Sequence, residues 1–235
     1  SKYHGEETVV ALWKEAGGPP AQLVVNSTIP IGKGMSSSAA LCLAVVLCVH
    51  GKDINKQDAC IEAQRLEHVV LGTPCGLLDQ MAMMYSEENH YTLIDFSTME
   101  TSNIPYPSEW KFKLIDSGIH RTLNNQDYRQ TATDDIKQAH VVSENNRVRQ
   151  SINATNVALG MMLNETHESL KRIGVSTIEM DHLVQTIQQT KGVLGARMMG
   201  GGFGGMILVL VEDENTLPHL DLISPSRPGF VEEGL

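Results

Sequence analysis

Apolar and polar positions along the chain follow two periods, which together indicate a mixture of helices and strands. Apolar residues at a spacing of three or four predict helices, while alternating or short apolar runs between turn residues predict strands. The pattern predicts helices at 5–16, 36–49, 55–71, 75–84, 143–170 and 178–190, and strands at 22–28, 91–96, 111–116 and 206–211. A polar, Ser-, Asn- and Pro-rich connection at 97–108 separates two groups of elements, so we expect a domain boundary there.

A glycine- and serine-rich turn, residues 30–38, precedes the most apolar predicted helix. Glycines allow backbone geometries that a side chain would forbid. The first turn of the following helix has N–H groups without partners inside the helix, and the helix dipole is positive at that end. The turn therefore suits a phosphate group. An ordinary capped helix after a glycine turn explains the same residues, and this stretch alone leaves both interpretations open.

Two carboxylates lie among apolar residues on predicted helices. Glu67 shares the helix face of Ala63 and Val70, and Asp79 has Cys75 four residues before it and Met83 four residues after it. Both side chains are expected to point inward, where an unpaired charge costs several kcal/mol. They therefore need partners, which are either a bound ligand or, in the simpler alternative, an arginine or a neighbouring helix end.

Composition narrows the classes of function. The net charge of -10 argues against a general nucleic-acid binder and against an anionic membrane surface. The four cysteines form no CxxC pair, so neither a zinc site nor a disulfide framework is indicated. Residues 1–20 lack the apolar run of a signal peptide, and the longest apolar run, about 39–49, is too short to span a bilayer. We expect a cytoplasmic protein that binds neither nucleic acid nor membrane.

Two further segments each have a functional and a structural explanation. Tyr128 lies in a polar segment with Arg121 and Arg129, which an exposed loop explains equally well. Five of the six residues at 200–205 are glycine, and they precede the apolar strand 206–211, which should be central in a sheet. Such a loop permits close approach of another backbone, which belongs either to a ligand or to another loop.

Several of these segments, taken in order, resemble the GHMP small-molecule kinases. PIGKGMSSSAA resembles the phosphate-loop motif of that family, and GARMMGGGFGG resembles its C-terminal glycine motif. Between them, AQRLEHVVLGTPCGLLDQM, LIDSGIHRTLNNQDYR and LNETHESLK are similar to galactokinase segments. The resemblance implies an α+β, two-domain GHMP-kinase-type fold. Its N-terminal α/β domain remnant would occupy 1–105 and carry the phosphate loop and base, and a ferredoxin-like α+β C-terminal domain would occupy 106–235.

The resemblance also implies a reaction and its residues. An ATP-dependent sugar kinase would transfer the γ-phosphoryl group to the anomeric hydroxyl of galactose. Ser38 and Glu67 would hold Mg²⁺, which takes few protein ligands. Asp79 would contact the sugar hydroxyl as catalytic base, and Tyr128 would contact the sugar. The expected ATP-binding residues are Gly32, Lys33, Gly34, Met35, Ser36, Ser37 and Ser38.

The chain departs from the family pattern in two places, and alternatives follow. The family's first motif, expected before residue 1, is absent, and the stretch between Arg129 and His140 is shorter than in the family. The chain is then either part of a longer enzyme or a naturally truncated relative. The alternatives to galactose phosphorylation are a kinase for a related sugar, such as arabinose or N-acetylgalactosamine, and a non-catalytic sensor that keeps the kinase fold.

Overall fold

The structure, a computed structural model, describes residues 5–119 and 132–223. Within these residues the chain forms two compact units. Unit 1 contains residues 5–29 and 36–106, and unit 2 contains residues 30–35 and 107–223. The predicted phosphate loop therefore divides between the two units, with Ser36, Ser37 and Ser38 in unit 1.

Unit 1 is mainly helical. Its elements are α1 (Glu6–Glu15), α2 (Ser37–His50), α3 (Lys56–Leu66), a π-helix (Glu67–Leu71), α4 (Leu78–Tyr85), β1 (His90–Asp95) and β2 (Glu100–Pro105). The core forms where α1, α3, α4 and the π-helix pack against α2. Strands β1 and β2 pair antiparallel, with His90 opposite Pro105.

Helix α2 is mostly buried or half-buried, as expected for the most apolar predicted helix. Five of its side chains are buried, and Cys42 and Val46 are completely so. Ala44 and Cys48 are nevertheless exposed, so the helix is covered on one broad side rather than all round. A helix without a polar face can leave such a strip open when its residues are as small as these two.

Two secondary-structure predictions in unit 1 are wrong: a predicted strand that does not form, and a predicted connection that contains a strand. Residues 22–28 form no strand, and Val24 and Val25 are 77% and 51% exposed. A strand needs a neighbour for its backbone groups, and among the described residues β1 and β2 pair only with each other in this unit. Conversely, the predicted connection 97–108 contains β2, whose polar residues form a strand because β1 lies beside it.

Unit 2 is a three-stranded antiparallel sheet with helices. Strand β5 lies in the centre and pairs with β3 on one side and β4 on the other, which confirms its predicted position. Its buried residues join those of α7 and β4 in one apolar core. The elements are β3 (Lys111–Asp116), α5 (Asp134–Ser151), α6 (Asn156–Arg172), α7 (Ile178–Gln188), β4 (Val193–Met198) and β5 (Met206–Val211).

The helices of unit 2 start at threonine caps. The predicted helix 143–170 is two helices: α5 ends at Ser151, and α6 begins after Thr155, whose hydroxyl accepts a hydrogen bond from the N–H of Ala158. Helix α7 is capped by Thr177, whose hydroxyl accepts a hydrogen bond from the N–H of Met180 at 3.2 Å. None of the helices in the described part of the chain has the length and apolar character needed to cross a membrane.

Candidate functional site

The N-terminus of α2 has the backbone shape that the sequence predicts. Gly32 and Gly34 have positive φ angles of 75° and 76°, a region that glycine enters easily. Ser36, the residue before α2, is left-handed as well, with φ 56°, and its side chain makes no capping hydrogen bond. The first-turn N–H groups of α2 therefore lack a side-chain acceptor and can donate to an anion.

Glu67 is buried, as predicted, and its exposed fraction is only 2%. It begins the π-helix, a rare element that occurs often at functional sites. Its Oε2 accepts a hydrogen bond from Gln80 Nε2 at 2.5 Å and another from Cys75 Sγ at 3.4 Å. Within the described residues its Oε1 accepts none.

Cys42 of α2 connects the predicted ligands Ser38 and Glu67. Cys42 comes four residues after Ser38, so the two side chains share a helix face. Burial, and then the nearby charge of Glu67, raises the pKa of the Cys42 thiol to about 12. Glu67 therefore lies near the part of α2 that carries Cys42.

Asp79 does not point into the core, which corrects the sequence prediction. Helix α4 begins at Leu78, so Cys75 precedes the helix and shares no face with Asp79. The buried positions are Gln80 and Met81, whereas Asp79 is exposed. Its carboxylate makes no hydrogen bond or ion pair with a described residue and remains available to a substrate.

Asp79 is nevertheless close to the Glu67 region. Burial is the main cause that raises the pKa of the Cys75 thiol to about 11, and the charges of Glu67 and Asp79 both contribute. The segment that carries Cys75 is fixed by two side chains: Gln64 Nε2 donates to the Cys75 carbonyl at 2.9 Å, and the His68 ring contacts the same backbone at 3.0 Å. Glu67 and Asp79 therefore both lie near Cys75 in unit 1.

Lys33, in the first half of the predicted loop, is held by unit 2. Its Nζ lies 2.6 Å from Asp116 Oδ2 at the end of β3, and its carbonyl accepts a hydrogen bond from the N–H of Met206 at 3.2 Å. Lys33 lies between Gly32 and Gly34 in the sequence. Its ammonium forms an ion pair with the Asp116 carboxylate.

The glycine-rich loop at 200–205 approaches other loops of unit 2. A side chain at Gly202 would meet the Val175 carbonyl oxygen at 2.3 Å, and one at Gly204 would meet the Ile119 carbonyl oxygen at 2.3 Å. The N–H of Gly205 donates to Ile119 at 3.1 Å. These glycines are therefore explained by close backbone packing within unit 2.

Sequence reasoning missed two residues of the site and proposed one that cannot be placed. Gln80 and Cys75 each donate a hydrogen bond to Glu67. The sequence hinted at the first of these contacts only through the polar Gln80 in the otherwise mostly apolar segment around LLDQM. Tyr128, the predicted sugar contact, lies outside the described residues.

The donor set of unit 1 fits a magnesium ion bound together with a nucleotide. No group of three or more His, Cys, Asp or Glu side chains suited to a metal occurs in residues 5–119 and 132–223. Mg²⁺ binds through one or two protein ligands and completes its shell with water and phosphate oxygens. A serine hydroxyl and the unused Oε1 of Glu67 are ligands of that kind.

Curated relatives of the chain are galactokinases. Galactokinase from Thermotoga maritima is 31% identical over 228 residues, which are 81% of this chain and 65% of that protein. Galactokinase from Chloroflexus aggregans is 30% identical, over 83% of this chain and 61% of that protein. The chain thus spans less than two thirds of the length of these relatives.

Solved structures share the fold. Lactococcus lactis galactokinase in complex with galactose superposes with a TM-score of 0.72 at 25% identity, over 90% of this chain and 67% of that one. Mevalonate kinase from Methanococcus jannaschii has a TM-score of 0.69 at 16% identity, over 93% of this chain and 71% of that one, and shows likeness of fold alone.

Two models of one family match the chain in sequence order. The model described as GHMP kinases N terminal domain matches residues 5–87, and that described as GHMP kinases C terminal matches residues 151–219. Together they cover more than half of the chain and include the π-helix with Glu67 and the glycine-rich loop. With its two-unit α+β fold, the chain belongs to the GHMP kinase family.

Proposed function

We propose that the protein is an ATP-dependent sugar kinase that converts galactose and ATP to galactose 1-phosphate and ADP. The proposal keeps a first domain, 1–105, with the base and the serines of the phosphate loop, and a second domain, 106–235, with the glycine-rich motif, although residues 30–35 of the loop group with unit 2. The proposal rests on relatives named galactokinase and on similarity to a galactokinase structure that contains galactose. The free state of all four cysteines agrees with the cytoplasmic location that the proposal includes.

One observation carries the reaction type. The buried carboxylate of Glu67 has an oxygen that accepts no hydrogen bond from the described residues, and its charge raises the pKa of the Cys42 thiol on α2, four residues after Ser38. A cation at the unused oxygen would offset part of the desolvation of this carboxylate. The N-terminus of α2 supplies N–H donors for the phosphates to which that cation would bind.

The loop residues then have distinct roles. Residues 32–38 wrap the triphosphate, with backbone N–H groups and serine hydroxyls as donors. Ser38 and Glu67 would hold Mg²⁺, which would supply positive charge to neutralise the phosphates. Lys33 reaches a phosphate oxygen when it leaves Asp116, since an exposed ion pair of this kind is worth less than about 1 kcal/mol.

Asp79 acts as the catalytic base. The anomeric oxygen of the sugar forms a bond to the γ-phosphorus, the bond from that phosphorus to the β–γ bridging oxygen breaks, and the hydroxyl proton passes to the Asp79 carboxylate. Its exposed position in the first turn of α4 lets a sugar approach. Tyr128 contacts the same sugar.

A coupled assay of ADP release tests the proposal. The chain is incubated with ATP and Mg²⁺ and with galactose, arabinose or N-acetylgalactosamine. We expect release with galactose, and Asp79→Asn should lower turnover by a factor of about 10² to 10⁴ while ATP binding is unchanged. Release with another sugar alone would reassign the substrate. Nucleotide and sugar binding without ADP release would support the sensor, and an active Asp79→Asn variant would overturn the base.

A further inference from the structure

Gln80 is a buried amide bound to the carboxylate of Glu67. Its side chain is fully buried, and its Nε2 donates to Glu67 Oε2 at 2.5 Å. Cys75 Sγ donates to the same oxygen at 3.4 Å. Two donors at one oxygen fix the rotation of the carboxylate, because turning it would break both hydrogen bonds.

The second oxygen of Glu67 is thereby presented to a different partner. Oε1 accepts no hydrogen bond from the described residues, although the Glu67 side chain is almost completely buried. A carboxylate held through one oxygen can bind a metal through the other in a single orientation. Ligands of bound metals are commonly oriented in this way by neighbouring hydrogen bonds.

Gln80 itself is an unfavourable choice for a core position. Its Oε1 is buried and has no hydrogen-bond partner in the described part of the chain. A buried acceptor without a partner is costly, and an apolar side chain of the same shape would avoid that cost. The amide is therefore explained by what its Nε2 does for Glu67, not by the packing of α4.

The position of Cys75 is determined by a further layer of contacts. Gln64 Nε2 donates to the Cys75 carbonyl at 2.9 Å, and the His68 ring contacts the same backbone at 3.0 Å. Gln64 lies on α3 and His68 on the π-helix that begins with Glu67. The elements that carry the carboxylate thus also place its second donor.

We propose that Gln80, with Cys75 as a second donor, is a positioning residue that holds Glu67 so that Oε1 faces the metal of the bound nucleotide. The inference rests on the proposed function, because it requires Glu67 to be a metal ligand. Gln80 touches neither substrate nor metal. It acts only through the orientation of Glu67, so its loss should weaken metal binding without weakening the binding of metal-free ATP.

Binding of Mn²⁺, measured by electron paramagnetic resonance with the full chain and ATP, tests the inference. Gln80→Met keeps the size of the side chain and removes the donor. We expect its affinity for Mn²⁺ to fall by about tenfold or more. Gln188→Met is the matched control, because the Gln188 amide donates to the Ala196 carbonyl in unit 2 at 2.9 Å. It should leave the Mn²⁺ affinity unchanged.

The second donor provides an independent comparison. Cys75→Ala should weaken Mn²⁺ binding by a smaller factor, because the thiol hydrogen bond at 3.4 Å is long. Cys75→Ser keeps a donor and should restore part of the affinity. Thermal unfolding of each variant, and binding of metal-free ATP, separate a positioning role from a loss of structure. If Gln80→Met does not fold, the difference in Mn²⁺ affinity between Cys75→Ala and Cys75→Ser tests the inference in its place.

The outcomes separate the inference from the function on which it rests. If Glu67→Gln loses Mn²⁺ affinity while Gln80→Met and Cys75→Ala bind as the wild type does, the inference fails and the proposed function stands. If Glu67→Gln binds Mn²⁺–ATP as tightly as the wild type, Glu67 is not a ligand, and the metal assignment and the inference fail together.

Discussion

Two buried charges, one in each unit, are satisfied in different ways. Lys113 of β3 is 1% exposed, and its ammonium donates to the carbonyls of Glu214 and Leu217 at 2.7 and 3.0 Å. Glu67 is 2% exposed, and both of its hydrogen bonds reach a single oxygen. The Lys113 ammonium is thus bound by backbone carbonyls, whereas the second oxygen of Glu67 accepts no hydrogen bond from the described residues.

The difference separates a structural charge from a functional one. Lys113 ties the segment after β5 to the sheet, because both of its acceptors are backbone carbonyls of that segment. Glu67 has an oxygen that no described residue binds, and a buried charge without full compensation is expensive. Removing Lys113 should therefore affect stability, and removing the charge of Glu67 should affect binding.

The largest expected effect on stability comes from Lys113→Met. The variant leaves two carbonyls without their donor, and we expect the free energy of unfolding of unit 2 to fall by about 3 kcal/mol. Urea unfolding followed by fluorescence measures it. The chain has only two tryptophans, so a Trp13→Phe background leaves Trp110, which is buried in unit 2, as the reporter. A loss below about 1 kcal/mol would contradict the structural role.

A smaller effect should appear at Cys75 when Glu67 is neutralised. The pKa of its thiol is raised to about 11 by burial and then by Glu67, so at pH 9 the thiol is mostly protonated. In Glu67→Gln the pKa should fall, which enlarges the thiolate fraction and speeds alkylation by up to about tenfold. Mass spectrometry after iodoacetamide treatment measures the rate, with exposed Cys48 as internal reference. An unchanged ratio would mean that Glu67 carries no charge.

The smallest expected effect is that of Glu67→Gln on stability. The amide keeps the shape of the side chain and can accept from Gln80 through its carbonyl oxygen, and it requires no desolvation of a charge. The free energy of unfolding of unit 1 should change by less than about 1 kcal/mol. Fluorescence of Trp13 in a Trp110→Phe background reports it. A loss as large as that of Lys113→Met would remove the contrast between the two charges.

Local patterns predicted several helices, among them α1, α2 and α7, and the burial of Glu67. The apolar spacing of Ala63, Glu67 and Val70 was sufficient because all three lie on one continuous helical stretch. The same reasoning failed for Asp79, because α4 begins three residues after Cys75 and the predicted helix face does not exist there. Where a helix begins depends on tertiary contacts that periodicity does not contain.

The sequence did not predict which strands pair or which distant side chains meet. Residues 22–28 have strand propensity but no neighbour, whereas the polar β2 becomes a strand because β1 lies beside it. The contact between Gln80 and Glu67 joins residues 13 apart and depends on how α4 packs. The resemblance to GHMP kinases named Glu67 as a ligand, but the residues that orient it became visible only with the fold.

Isothermal titration with Mg²⁺–ATP tests most directly whether Ser38 and Glu67 hold the metal. The wild type, Ser38→Ala and Glu67→Gln are each titrated with ATP in the presence and in the absence of Mg²⁺. We expect both variants to lose about tenfold or more in affinity for Mg²⁺–ATP, while Glu67→Gln binds metal-free ATP as the wild type does. Equal affinity of the three proteins for Mg²⁺–ATP would contradict the account.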